Sequence, residues 1–172
     1  MKKHRVAVLI LSSAILSGCG YALVGRASNL PEDVRNIYIE PLINNTARLQ
    51  VDQFLTRAIA DEFVTRQRFK VVSSRGEADA LLSGTVTSFI VRPVSFGDEG
   101  RATAYEIIIG AEMLFKRRDS GEVIWQQDRY RFQEDYELEV SETDFFDRQN
   151  EAIEEVAVKF AETLVIDILE GF

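Results

Sequence analysis

The sequence predicts an α+β fold, a two-layer sandwich in which a mainly antiparallel sheet carries two helices on one face. Three observations predict it. Residues 105–116 alternate strictly, with Tyr105, Ile107, Ile109, Ala111, Met113 and Phe115 on one parity and Glu106, Ile108, Gly110, Glu112, Leu114 and Lys116 on the other. Two stretches, from Val51 and from Ala152, carry apolar residues at helical rather than strand spacing. The elements also run strand, helix, short strand, three long strands, helix, and two amphipathic helices cover only one side of such a sheet. The other sheet face is expected to stay open.

Taken in order, Ile37 and Ile39 alternate with Tyr38 and Glu40 and make a short strand ending at Pro41. Asn44, Asn45 and Thr46 form a turn or helix entry; they also match the N-glycosylation pattern, which is read as chance. From Val51, residues Phe54, Leu55, Ala58, Ile59 and Phe63 share one helix face, and the helix is expected to end near Arg68. Phe69, Val71 and Val72 supply a short strand, and 73–79 is a polar turn. Residues 80–91 make the first long strand, which Pro93 is expected to stop.

Gly97, Asp98, Glu99 and Gly100 supply turn chemistry into the second strand, and Asp119, Ser120 and Gly121 do the same into the third, which runs from Val123 to Tyr136. The three long strands then form an antiparallel meander. Ser141 to Asp144 matches a capping box, opening a last helix whose stripe is Ala152, Ile153, Val156, Ala157, Phe160, Ala161, Leu164, Val165, Ile168 and Leu169. Its other side is acidic rather than basic, so the stripe is expected to pack on the sheet and not on a membrane surface.

The chain has 172 residues, a net charge of −8 and 46% hydrophobic residues, the composition of one folded domain. Lys2, Lys3 and Arg5 precede the apolar run 6–11, and small residues follow, in the order of a secretory signal. The run is too short for a permanent membrane helix. Leu16-Ser17-Gly18-Cys19 resembles a bacterial lipobox. That resemblance implies cleavage before Cys19 and a covalent lipid on it, a thioether-linked diacylglycerol with an acylated amine. Several buried acyl chains hold a soluble domain where one is marginal, at about 0.8 kcal/mol per CH2. The alternative is an ordinary secretory peptide with a free thiol at Cys19. Gly20, rather than an Asp, stands after the cysteine, which favours the periplasmic side of the outer membrane.

Removing residues 1–18 takes three basic side chains with it and leaves 154 residues of net charge −11. The remainder has no His and no Cys beyond Cys19, so a Ser-His-Asp triad, a Cys-His nucleophile, a Cys/His zinc site and disulfides are excluded by inventory. Nothing marks a pair of catalytic carboxylates, and no metal site or cofactor is expected beyond the lipid on Cys19. The expected organisation is a cleaved signal peptide (1–18), an anchor and tether (19–35) and one domain (36–172).

Several segments together resemble the LptE family of lipopolysaccharide-assembly lipoproteins, also known as RlpB-like. They are Gly18-Cys19-Gly20-Tyr21-Ala22-Leu23-Val24-Gly25, Ile37-Tyr38-Ile39-Glu40-Pro41 with Asn45-Thr46, Phe69-Lys70-Val71-Val72, Ala78-Asp79-Ala80-Leu81-Leu82-Ser83-Gly84, Thr103-Ala104-Tyr105 and Gly121-Glu122-Val123-Ile124-Trp125. The resemblance covers essentially the whole mature chain in order. It implies a non-enzymatic outer-membrane subunit of the lipopolysaccharide translocon, which plugs the large β-barrel protein LptD, assists its assembly and contacts lipopolysaccharide during export. No nucleic acid is implied.

Within that frame the expected ligand contacts are Arg92 and Arg101, flanking the first long hairpin turn, because Arg offers bidentate donors to phosphates. The stretch 133–139 is acidic where the family's pattern is basic. Phe89, Val91 and Phe96 are the candidate partner surface, with Ile90 on the opposite parity. Polar strand residues Thr85, Thr87, Ser88, Gln127 and Arg129 are expected to pair with groups of a polar barrel lumen. Lys116, Arg117 and Arg118 read as a solvated turn. The alternative function is a periplasmic lipoprotein regulator or assembly factor resembling the LpoB, TolB N-terminal or CsgG-like group, sharing only about 37–84. Three long strands with a single closing helix favour the translocon subunit, whereas further helix insertions favour the regulator.

Overall fold

The computed structural model describes residues 30–97, 100, 102–137 and 149–171. The lipobox with Cys19, Arg101, the turn residues Asp98 and Glu99, and the capping box 141–144 lie outside them. Strand β1 (Asn36–Ile39) and the two-residue β2 (Ile43–Asn44) precede helix α1 (Val51–Arg66). Strand β3 (Lys70–Val71) and one 3-10 turn (Arg75–Glu77) follow. The long strands are β4 (Ala80–Phe96), β5 (Ala102–Arg117) and β6 (Val123–Glu137), and α2 (Gln149–Glu170) closes the chain.

The sheet order is β3-β1-β4-β5-β6, with β2 also paired to β4. β4, β5 and β6 form the expected antiparallel meander, while β1 pairs parallel to both β3 and β4. Parallel pairing requires a crossover, and α1 supplies it between β1 and β3.

Both helices lie on one sheet face and share a single core. Val51, Leu55, Ile59 and Phe63 of α1 are fully buried beside Ile153, Phe160 and Leu164 of α2 and Ile107, Ile109, Met113 and Phe115 of β5. The stripe read from the sequence as a helix packed on the sheet is that. Phe160 meets Tyr130 and Phe132 edge-on, with ring centroids 5.5 and 5.7 Å apart, which ties α2 to β6. A second aromatic chain, Phe63, Phe69 and Phe115, runs from α1 through the β3 approach to β5 at 6.0 Å per step.

Turn chemistry sets the entry to α1. Asn44 accepts the Thr46 amide at 2.9 Å and donates to the Arg48 carbonyl at 2.7 Å, while Thr46 Oγ1 accepts from the Arg48 amide at 3.1 Å. These side chains satisfy backbone groups that neither β2 nor the helix serves. The core also reaches back to Leu30 and Val34, inside the stretch read as tether.

One expectation fails in an informative way. Pro93 does not end β4, which continues to Phe96 with Pro93 opposite Tyr105. The parallel partners β1 and β2 reach only as far as Val86, so beyond that point β4 has, among the described residues, a strand neighbour on one side alone. A proline is tolerated on such an edge, and the β4–β5 register shifts between Pro93 and Ser95, directly after it. The strands are therefore 17, 16 and 15 residues long and span roughly 50 Å at about 3.3 Å per residue.

Candidate functional site

The helix-free face of the meander presents Ser88, Ile90 and Arg92 from β4, Glu106, Ile108 and Gly110 from β5, and Arg131, Gln133 and Asp135 from β6. This assignment follows from register. Phe89 lies opposite Ile109 and Val91 opposite Ile107, both core residues, so the intervening residues of β4 point away from the helices.

At the hairpin end of this face Arg92, Glu106 and Gln133 form a cross-strand cluster. Arg92 donates from Nε to Glu106 Oε2, and Gln133 donates from Nε2 to Glu106 Oε1 at 2.6 Å. Glu106 is only 7% exposed and lies outside the helix-side core. The Arg92 side chain is 58% exposed, and the carboxylate beside it raises the guanidinium pKa further, so the arginine stays charged. Ile90, 49% exposed, flanks Arg92 two residues back on the same face, and Val94 and Phe96, the latter 61% exposed, lie beyond it. The result is a cation with an apolar margin at the end of an open sheet.

The candidate residues are thus distributed as follows. Arg92 is in β4, four residues from its end, rather than in a turn. Arg101 lies outside the described residues. Phe89 and Val91 sit on the helix side, half-buried against the core, and the exposed large apolar groups of β4 are Ile90, Val94 and Phe96. Phe96 belongs to the strand and not to the turn.

The described residues of the acidic stretch divide between the two faces, with Asp135 across from Glu106 on the open one. Glu134 lies on the helix side and accepts from Lys159 of α2 at 2.6 Å, and the acid that meets Arg92 is Glu106, from β5. Sequence reading missed Glu106. Its signal was available only through pairing, since Glu106 sits directly across from Arg92 once the hairpin is registered about its turn.

At the opposite end of the sheet, Arg117 and Arg118 of the basic run make structural contacts, and Lys116 and Arg117 belong to β5 rather than to a solvated turn. Arg117 donates to both Asp33 oxygens, at 2.6 and 2.8 Å, and lies 3.0 Å from Glu122, while Arg118 donates to the Ala78 carbonyl at 2.6 Å. Asp79 accepts the amides of Arg35 and Asn36 at 3.0 and 2.8 Å, which holds its carboxyl below the usual range. These contacts lash the segment before β1 to the β5–β6 turn. Between the two ends, Ser83, Thr85, Glu112, Leu114, Gln126 and Asp128, with Ile43 beside them, line a groove of mixed polar and apolar character. Among the described residues no helix is long and apolar enough to cross a membrane, and no group of three or more His, Cys, Asp or Glu is placed to hold a metal.

The family model described as LptE, lipopolysaccharide-assembly, matches residues 34–168. Among solved structures, lipoprotein B of Nitrosomonas europaea is similar at 17% identity and a TM-score of 0.50, over 87% of this chain and 90% of that one. A minor lipoprotein of Acinetobacter baumannii is similar at 10% identity and a TM-score of 0.50, over 82% and 95%. A hypothetical protein of Chlamydia trachomatis is similar at 6% identity and a TM-score of 0.52, over 81% and 99%. At these identities the likeness is one of fold. No curated protein matches the chain.

Proposed function

The chain belongs to the LptE lipopolysaccharide-assembly family, and from that premise we propose that it is a non-enzymatic subunit of the outer-membrane lipopolysaccharide translocon. In this reading it is anchored through lipid on Cys19 after loss of residues 1–18, plugs an LptD-like β-barrel from the periplasmic side, helps that barrel assemble and contacts lipopolysaccharide through Arg92 and Arg101. The observation that carries it is the family match across 34–168.

The form of the molecule supports the reading. A lumen-filling plug needs a long, stiff body with a polar surface, because barrel interiors are polar and wet. A three-stranded meander of roughly 50 Å has that length, and rigidity comes from the two helices packed on its other face. Thr87, Gln127 and Arg129 are exposed and Thr85 and Ser88 half-buried, so each offers a hydrogen-bonding group to a partner. The regulator alternative called for further helix insertions, and the described residues hold only α1 and α2.

Photocrosslinking tests the docking face. A photoreactive residue at Ser88 or Arg131, on the open face, is expected to capture the barrel protein in cells, and one at Glu154, exposed on α2, is expected to capture far less. Equal capture from both faces, or capture from Glu154 alone, contradicts the proposal.

A further inference from the structure

We propose that Glu106 is the positioning residue for Arg92, holding the guanidinium by its Nε so that its two terminal amino groups face a phosphate monoester on the open sheet face. The proposal rests on the reading of Arg92 as a lipopolysaccharide contact and adds the residue that makes the contact work.

Three features carry it. Glu106 is buried where the fold has no need of a charge, on the same parity as Ile108 and opposite Arg92, outside the helix-side core. A buried carboxylate is costly unless fully paired, and here both oxygens are engaged, one by Arg92 Nε and the other by Gln133 Nε2 at 2.6 Å. Arg92, by contrast, spends only its Nε, and its two terminal amino groups make no hydrogen bond with the described residues while the side chain stays 58% exposed. Those two groups form the edge of the guanidinium that fits two oxygens of one phosphate. A long arginine side chain fixed at Nε has already lost the rotamer freedom that ligand binding otherwise removes.

The same contact invites an opposite account, in which Glu106 competes with the ligand for Arg92. The two accounts differ in sign. Removing a carboxylate next to an anion site raises the local positive potential, so simple electrostatics predicts tighter binding by Glu106→Ala, whereas loss of positioning predicts weaker binding.

The test uses the full chain purified in detergent and titrated with purified lipopolysaccharide. Glu106→Ala is expected to weaken binding by about twofold to tenfold, the scale of freeing one long side chain. Glu106→Gln keeps an oxygen for Nε–H and is expected to restore most of the affinity. Adding Glu106→Ala to Arg92→Ala is expected to cost nothing further, because Glu106 acts only through Arg92. With dephosphorylated lipopolysaccharide the Glu106→Ala effect is expected to vanish. Equal or tighter binding by Glu106→Ala, additive losses in the double variant, or an effect that persists without phosphates overturns the proposal. If Arg92→Ala alone leaves binding unchanged, the Arg92 reading itself has failed; if Arg92→Ala weakens binding and Glu106→Ala does not, only the positioning role has.

Discussion

Gly84 shows how single residues hold this sheet together. A Cβ there would collide with Met113 Sδ, and it would lie 2.9 Å from the Glu112 carbonyl and 3.0 Å from Leu42 Cδ2. Glycine lets β4 pass between Leu42 and Met113, two buried core residues. Gly84→Val is therefore expected to lower stability by about 1–3 kcal/mol, the range for overpacking, read as a fall in the urea midpoint at unchanged slope. Asp79 makes a pH prediction at the same scale. Its carboxyl is held below its ordinary pKa by the Asn36 and Arg35 amides, and that of Asp33 is lowered by Arg117. Groups with depressed native pKa values bind fewer protons folded than unfolded, so their contribution is complete above about pH 4 and is lost as pH falls through the native values. Acid unfolding is expected to begin below that pH, and Asp79→Asn is expected to flatten the acid limb while lowering stability at neutral pH. Urea titrations across pH 3–6 check both, and an unchanged acid limb contradicts the assignment.

At the scale of elements, α2 is the lock on the fold. Phe160 is fully buried and contacts two aromatic rings of β6, so Phe160→Ala is expected to cost about 3–5 kcal/mol, measurable in the same urea titration. Pro93→Ala, in contrast, is expected to be nearly neutral, because β5 is the only strand beside β4 there among the described residues. These two elements also mark what the sequence made legible. The α2 stripe could be read in full, because a helix buried on one face writes its burial into a 3.6-residue period. The length of β4 could not be, since whether a proline stops a strand depends on which neighbours the strand has, and those are set by long-range pairing of β1 and β2. The two-residue β2 and the parallel pairing of β1 were invisible for the same reason. The site divides likewise: Arg92 was legible as a cation near a hairpin, but Phe89 and Val91 were placed by a bulge at Thr87 that shifts parity relative to Val86. Glu106 required knowing the β4–β5 register.

The whole molecule is an asymmetric sandwich in which both described helices pack on one face of the sheet. Lipid on Cys19 would hold that body at the membrane, and mass spectrometry of the protein from its native host is expected to find Cys19 as the modified first residue; an intact signal segment or a free thiol there contradicts the anchor. Membership of the lipopolysaccharide-assembly family sets the expected partner. The most direct measurement is affinity purification from solubilised membranes through a tag placed after Phe172. The account predicts recovery of a large outer-membrane β-barrel protein in near-equal amount; recovery of a peptidoglycan synthase in its place, or of no barrel at all, would contradict it.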